Sequence, residues 1–211
     1  MIQRLDAEPI EHIVLYNVSW DLYERLLEAM GDRRFRHSYD DGVLEIMTPS
    51  KRHDREKSFI GRLVEAVALE WDVDIDAIGS TTLREAPKTQ GLEPDECFYI
   101  AHAKESQGYS DFDPQRDPPP DLAIEVDVTN SSVGRMPIYA RLGVPELWRF
   151  ADGRLTFYRL AKGKKYVAIT HSKAFPNLPS RTMERFVRQL GSKPVNSIVR
   201  EFMEWLRANR P

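Results

Sequence analysis

The chain has 211 residues, 41% of them apolar, enough to build a core for one domain or for one domain with an appendage. With 30 Lys and Arg against 33 Asp and Glu, the net charge of −3 excludes a protein that coats nucleic acid through bulk electrostatics, and leaves only local basic surfaces for such contact. The lone cysteine, Cys97, excludes an internal disulfide and a cysteine-based zinc site; with no signal-like or membrane-length apolar run, the expectation is a soluble cytoplasmic protein without a membrane partner.

In chain order, "SWDLYERLLEAMGD" predicts a helix with Ser19 as N-cap, Leu22, Leu26 and Met30 along one side, and Gly31 as its stop. "RRFRHSYDDGVLEIMTPS" predicts a hairpin around Asp41-Gly42, with Glu45 exposed. "HDREKSFIGRLVEAVALEW" places Ile60, Leu63, Val64, Val67 and Trp71 at helical spacing, so a long amphipathic helix should pack on a sheet, with His53 near its start as a surface or capping residue. "DIDAIGSTTLRE" and "PDECFYIA" read as strands separated by the turn-rich "APKTQGLE". The polar, proline-laden "HAKESQGYSDFDPQRDPPP" then leads into "PPPDLAIEVDVTNSS". After Ser131 a short helix with Pro137 in its first turn should end at Gly143. "VPELWRF", "RLTFYRL" and "KYVAIT" follow as strands turned at Asp152-Gly153 and Lys162-Gly163, and two helices broken between Gly191 and Pro194 close the chain. The basic clusters Arg33, Arg34 and Arg36, and Lys162, Lys164 and Lys165, read first as solvated surface, as does the basic tail from Arg181 to Arg210.

Within "PPPDLAIEVDVTNSS", alternation puts Leu122, Ile124, Val126 and Val128 on one face and Asp121, Ala123, Glu125 and Asp127 on the other. Carboxylates gathered this closely raise one another's pKa unless a cation or hydrogen-bond donors stabilise the charge. The strand in "EPDECFYI" likewise opens with Glu93 and Asp95 on the face that continues to Cys97, which reads as a small core residue. If the two strands are neighbours, Asp95 comes within metal-bridging reach of Glu125, giving a sparse, oxygen-only site suited to Mg2+ or Mn2+ and phosphoryl chemistry. The plain structural alternatives are a turn-forming Asp95, a Glu125 buried as an ion pair with Arg135 or Arg84, and an Asp127 engaged in simple pairing.

These residues resemble the PD-(D/E)xK nuclease superfamily: a Pro-Asp opening one strand, a loop, and an acid late in the next. "EPDECFYI", "PPDLAIEVDVTNSS" and "IYARLGVPELWRF" together resemble the Uma-two restriction endonuclease family over roughly residues 15 to 190. The resemblance implies an α/β protein with a restriction-endonuclease-like mixed β-sheet flanked by helices. An N-terminal helix and hairpin (residues 1–50) would be appended to the core (residues 51–175), followed by C-terminal helices (residues 176–211). It also implies a metal-dependent endonuclease on DNA, acting as a homodimer, in which Asp95, Glu125 and the Val126 carbonyl hold Mg2+ or Mn2+. The sequence departs from that pattern where lysine is expected. Position 127 is Asp, and counting back four from Tyr139 gives Arg135, which can steady a phosphate but cannot be a general base. Water activation would then fall to the metal, to Asp127 or to His53. Two other readings stand beside this one: a nuclease fold whose site has decayed into a nucleic-acid or partner-binding surface, and a metal phosphoesterase acting on small nucleotides.

Overall fold

The computed structural model describes residues 12–31, 35–79, 81–84, 89–107, 112–127 and 134–211. Arg33 and Arg34, and the stretch from Val128 through Ser131 that leads into the predicted short helix, lie outside them.

The first layer is built around helix α1 (Trp20–Met30). It starts where the Leu22 N–H donates to the Ser19 hydroxyl at 3.2 Å, and it stops at Gly31, whose φ of 56° disfavours a side chain. The buried side is Tyr23 with Leu26 and Leu27, and Leu22 faces solvent instead, because Tyr23 stacks on Tyr39 at 4.7 Å and draws that side of the helix inward. Beneath it lies the predicted hairpin, β2 (Arg36–Asp40) and β3 (Val43–Met47), turned by Asp41 and Gly42 at φ of 41° and 90°.

Three short strands complete this sheet. β1 (His12–Leu15), too short for its periodicity to show in sequence, pairs antiparallel with β3, and β5 (Leu83–Arg84) and β6 (Gln90–Leu92) give the order β1-β3-β2-β6-β5. The covering strand explains why Glu45 is buried rather than exposed: it lies 3.8 Å from the His12 ring of β1. The turn-rich stretch thus ends in a strand whose Gly91 lies under α1. A β-carbon there would sit 2.7 Å from the Tyr23 hydroxyl, so Gly91→Ala is expected to lower stability by about 1–3 kcal/mol in thermal unfolding.

The second sheet runs β11-β10-β9-β8-β7-β4, with β4 (Asp76–Ala77), β7 (Glu96–Tyr99), β8 (Leu122–Asp127), β9 (Glu146–Ala151), β10 (Arg154–Ala161) and β11 (Lys165–Ile169). Among the described strands of this sheet only β8 and β9 pair in parallel, and the chain between them includes helix α4 (Arg135–Leu142), ended by Gly143 at φ 84°. The last hairpin turns through Lys162, Gly163 and Lys164, so the expected Lys162-Gly163 turn takes in one further residue.

One face of this sheet carries Leu122, Ile124, Val126, Trp148 and Phe157 into the main core against helix α2 (Lys51–Glu70). Helices α5 (Ser180–Val187) and α6 (Val195–Ala208) close that core, and Trp71 donates to the Leu206 carbonyl at 3.1 Å. Arg207 and Arg210 fold back onto Glu70 at 3.2 and 2.9 Å, so part of the basic tail is spent on structure. The polar loop before β8 contains the short helix α3 (Ala103–Ser106). The architecture is therefore α/β as expected, with the strands divided between two sheets. Among the described residues no helix is long and apolar enough to cross a membrane.

Candidate active site

The chain passes from one sheet to the other at Glu93, Pro94 and Asp95, between the end of β6 and the start of β7. β7 and β8 are antiparallel with Glu96 opposite Ile124, so Asp95 lies opposite Glu125, one step beyond the paired residues. Their side chains therefore share one face of the strand pair, at the end of the sheet that the first turn of α2 reaches through His53. Both acids are buried, at 2% and 5% exposure, which makes their neutralisation obligatory.

Asp95 is held on three sides. Its Oδ2 accepts from the Val126 N–H at 2.7 Å and lies 3.0 Å from His53 Nε2, and its Oδ1 accepts from Arg36 Nε at 3.3 Å. Burial pushes its carboxyl up, but the hydrogen bond and charge of His53, the charge of Arg135 and the Val126 N–H outweigh burial and leave the pKa below the ordinary carboxylate value. His53 shows the converse: burial lowers it, and the bond to Asp95 with the charges of Asp95 and Glu125 carries it above an ordinary histidine. The proton thus belongs on His53 Nε2, facing Asp95.

Glu125 is balanced differently. Arg135 donates to its Oε1 at 2.8 Å and the Tyr139 hydroxyl donates to the same oxygen, while no hydrogen bond among the described residues reaches Oε2. Burial and the neighbouring Asp95 raise its carboxyl to about 7 despite Arg135. Arg135 is fixed from both sheets: it donates to the Ser38 hydroxyl at 3.0 Å and to the Glu93 carbonyl at 2.5 Å. α4 places it there because Arg135 and Tyr139 are four residues apart, on one side of the helix.

The remaining acids of the β8 face lie apart from this pair. Asp127 accepts from Arg149 of the neighbouring strand at 2.6 Å, and Asp121 accepts from the Ile100 backbone N–H at 2.8 Å. Val126 meets Asp95 through its N–H. Cys97 is fully buried, as a core residue. His53 is a buried partner of Asp95 rather than a surface residue, since the N-terminal turn of α2, capped by Ser50 at 3.1 Å, points at the sheet junction. Arg84 is not the partner of Glu125; it stands beside α1.

Sequence reading missed Arg36 and Lys57. Arg36, expected on the surface, is 8% exposed and also donates to Glu93. Lys57, one helical turn after His53, donates to the Asp95 carbonyl at 3.3 Å and lies 3.5 Å from Glu96. The available signal was the hairpin's alternation, which puts Arg36 and Ser38 on one face.

Among the described residues no group of three or more His, Cys, Asp or Glu side chains is arranged to hold a metal ion. The oxygens present are nevertheless of the right kind. Two carboxylates with a backbone carbonyl form a hard-donor set of the size Mg2+ uses when waters and substrate oxygens complete its shell.

A family model, Uma2, described as "Putative restriction endonuclease", matches residues 20–190. A solved structure described as "a putative nuclease belonging to DUF820", from Anabaena variabilis, is similar at a TM-score of 0.52 and 13% identity, over 90% of this chain and 99% of that one. At that identity the likeness speaks for the fold alone. No curated protein matches the chain. With the family model matching residues 20–190 of 211 and the paired acids lying within that span, the chain belongs to the Uma2 family.

Proposed function

We propose that the protein is a Mg2+-dependent endonuclease that hydrolyses DNA phosphodiester bonds. The observation that carries this reading is the buried carboxylate pair on neighbouring strands, Asp95 and Glu125, with one Glu125 oxygen that no hydrogen bond among the described residues reaches. Asp95, Glu125 and the Val126 carbonyl would hold Mg2+ or Mn2+. When bound, the ion supplies an activated water and offsets the charge that builds on the phosphate.

The chain's own groups have separate tasks in this reading. His53 keeps Asp95 ionised and oriented, and with its proton engaged there it acts by positioning, not as the base. Tyr139 anchors the bonded oxygen of Glu125 and so directs the other one. Arg135, protonated at any working pH and held by Ser38 and the Glu93 carbonyl, would lend a fixed positive charge to the phosphate without acting as a base. Asp127 is tied to Arg149 and supports that strand's end. Conversion of supercoiled plasmid to the nicked form, in the presence of Mg2+ or Mn2+ and suppressed by chelator, is the expected result; DNA left intact with either ion would overturn the assignment.

The Arg135–Glu125 pair favours a second reading, a fold whose metal chemistry has been lost and which binds nucleic acid or a partner. Mn2+ calorimetry separates the two. In the catalytic case one ion binds, and because Glu125 must lose a proton from a pKa of about 7, affinity falls about tenfold per pH unit below that value and levels off above it. In the lost-site case no Mn2+ binding depends on Asp95 or Glu125.

A further inference from the structure

A cavity of about 330 Å3 opens between α1 and the five-stranded sheet, at the small end of ligand cavities. The helix contributes Glu24, Leu27 and Glu28, and the sheet contributes His37, Thr82, Arg84 and Glu93. His37 and Glu93 lie one step beyond the paired Ser38 and Leu92, and Thr82 lies one step beyond Leu83, which also pairs with Leu92, so the three stand side by side across neighbouring strands.

Among the described residues, two polar atoms on this wall lack a hydrogen-bond partner. His37 is 4% exposed and its Nε2 has no hydrogen bond, and the buried Arg84 Nε has none either. His37 Nδ1 lies 3.6 Å from Glu93 Oε2, which leaves Nε2 as the open edge of the ring. Buried polar atoms without partners are destabilising and point to a ligand that supplies them.

The walls carry opposite chemistry. A guanidinium on the sheet side suits a pair of acceptors, and carboxylates on the helix side suit donors, with Leu27 giving an apolar contact between them. Guanine has this arrangement: O6 and N7 accept from arginine, and its amino group donates to a carboxylate. Thymine has no amino group, and in adenine the amino group displaces the second acceptor.

The cavity also connects to the paired acids. Arg36 donates from Nε to Asp95 at 3.3 Å and from its terminal nitrogen to Glu93, so one side chain touches both places. Glu93 and Asp95 are two residues apart on an extended segment, roughly 6.6 Å. We propose that the cavity is a guanine pocket that receives a base unstacked from the strand beside the scissile phosphate. The strand as the source of the base rests on the nuclease reading; a free guanine nucleotide presents the same edges.

The test measures binding of fluorescent single strands without divalent metal: one all-thymidine, one with a single dG and one with a single dA, each competed with free dGMP. Cleavage of the same strands with Mn2+ is followed in parallel. The expected result is about tenfold tighter binding of the dG strand, lost in Arg84→Gln and in the exposed-site variant Glu28→Ala, with all-thymidine binding unchanged. Arg84-dependent binding of dGMP without any strand preference assigns the pocket to a free nucleotide. Equal binding of all strands with no dGMP binding overturns the pocket, even if Glu125-dependent cleavage persists and the nuclease reading stands. A dG preference with no cleavage keeps the pocket and sinks the nuclease reading.

Discussion

Glu125→Ala is expected to reduce Mg2+-dependent plasmid nicking by about 10^3-fold or more, the scale of losing a metal-held water and its charge stabilisation, about 4 kcal/mol of barrier. The substitution also leaves Arg135 buried without its carboxylate, so a fall in activity could reflect a loosened fold. Glu125→Gln resolves this. Its carbonyl can still accept from Arg135 and Tyr139, so the melting temperature should stay within a few degrees, while the missing anion no longer binds the cation. Nicking by Glu125→Gln at the wild-type rate would remove Glu125 from the chemistry.

The largest stability effect is expected at a different acid. Glu146 is 1% exposed; its Oε1 accepts from Trp148 Nε1 at 2.6 Å and its Oε2 from the backbone N–H groups of Lys173 and Ala174, both at 2.8 Å. Burial pushes its carboxyl up, against the pull of those donors. Glu146→Ala leaves the buried Trp148 N–H and two partly buried backbone N–H groups unpaired and releases the 172–174 segment from the sheet, which should lower stability by about 3–5 kcal/mol, roughly 10 °C in melting temperature for a domain of this size. Glu146→Gln, which keeps the shape and most of the acceptors, should lose less than half as much. Equal melting of Glu146→Ala and wild type would show that the segment is held by packing alone.

Much of this molecule is legible in its sequence because the signals are local. Ser19, Gly31 and Gly143 mark helix ends where the caps are found, and Asp41-Gly42 turns the hairpin. The alternation of 122–127 separates core from acids correctly, and the pairing of Asp95 with Glu125 follows from strand order. What stayed hidden depends on contacts far apart in the chain. Arg36 is 59 residues from Asp95 and His53 is 42, and nothing in either neighbourhood marks a buried cation. The two-residue strands and β1 are too short to show a period, so the five-stranded sheet beyond its central hairpin, and with it the burial of Glu45, could not be read.

Arg135 touches Ser38 in the five-stranded sheet, Glu93 at the crossing and Glu125 in the six-stranded sheet, and Arg36 ties Asp95 to the same crossing. The side chains proposed for catalysis are thus also the rivets of the seam where the two halves of the molecule join. Mutational drift that silences the enzyme at these positions would at the same time unfasten the halves, so an inactive descendant must either keep the residues it no longer uses or rebuild the joint.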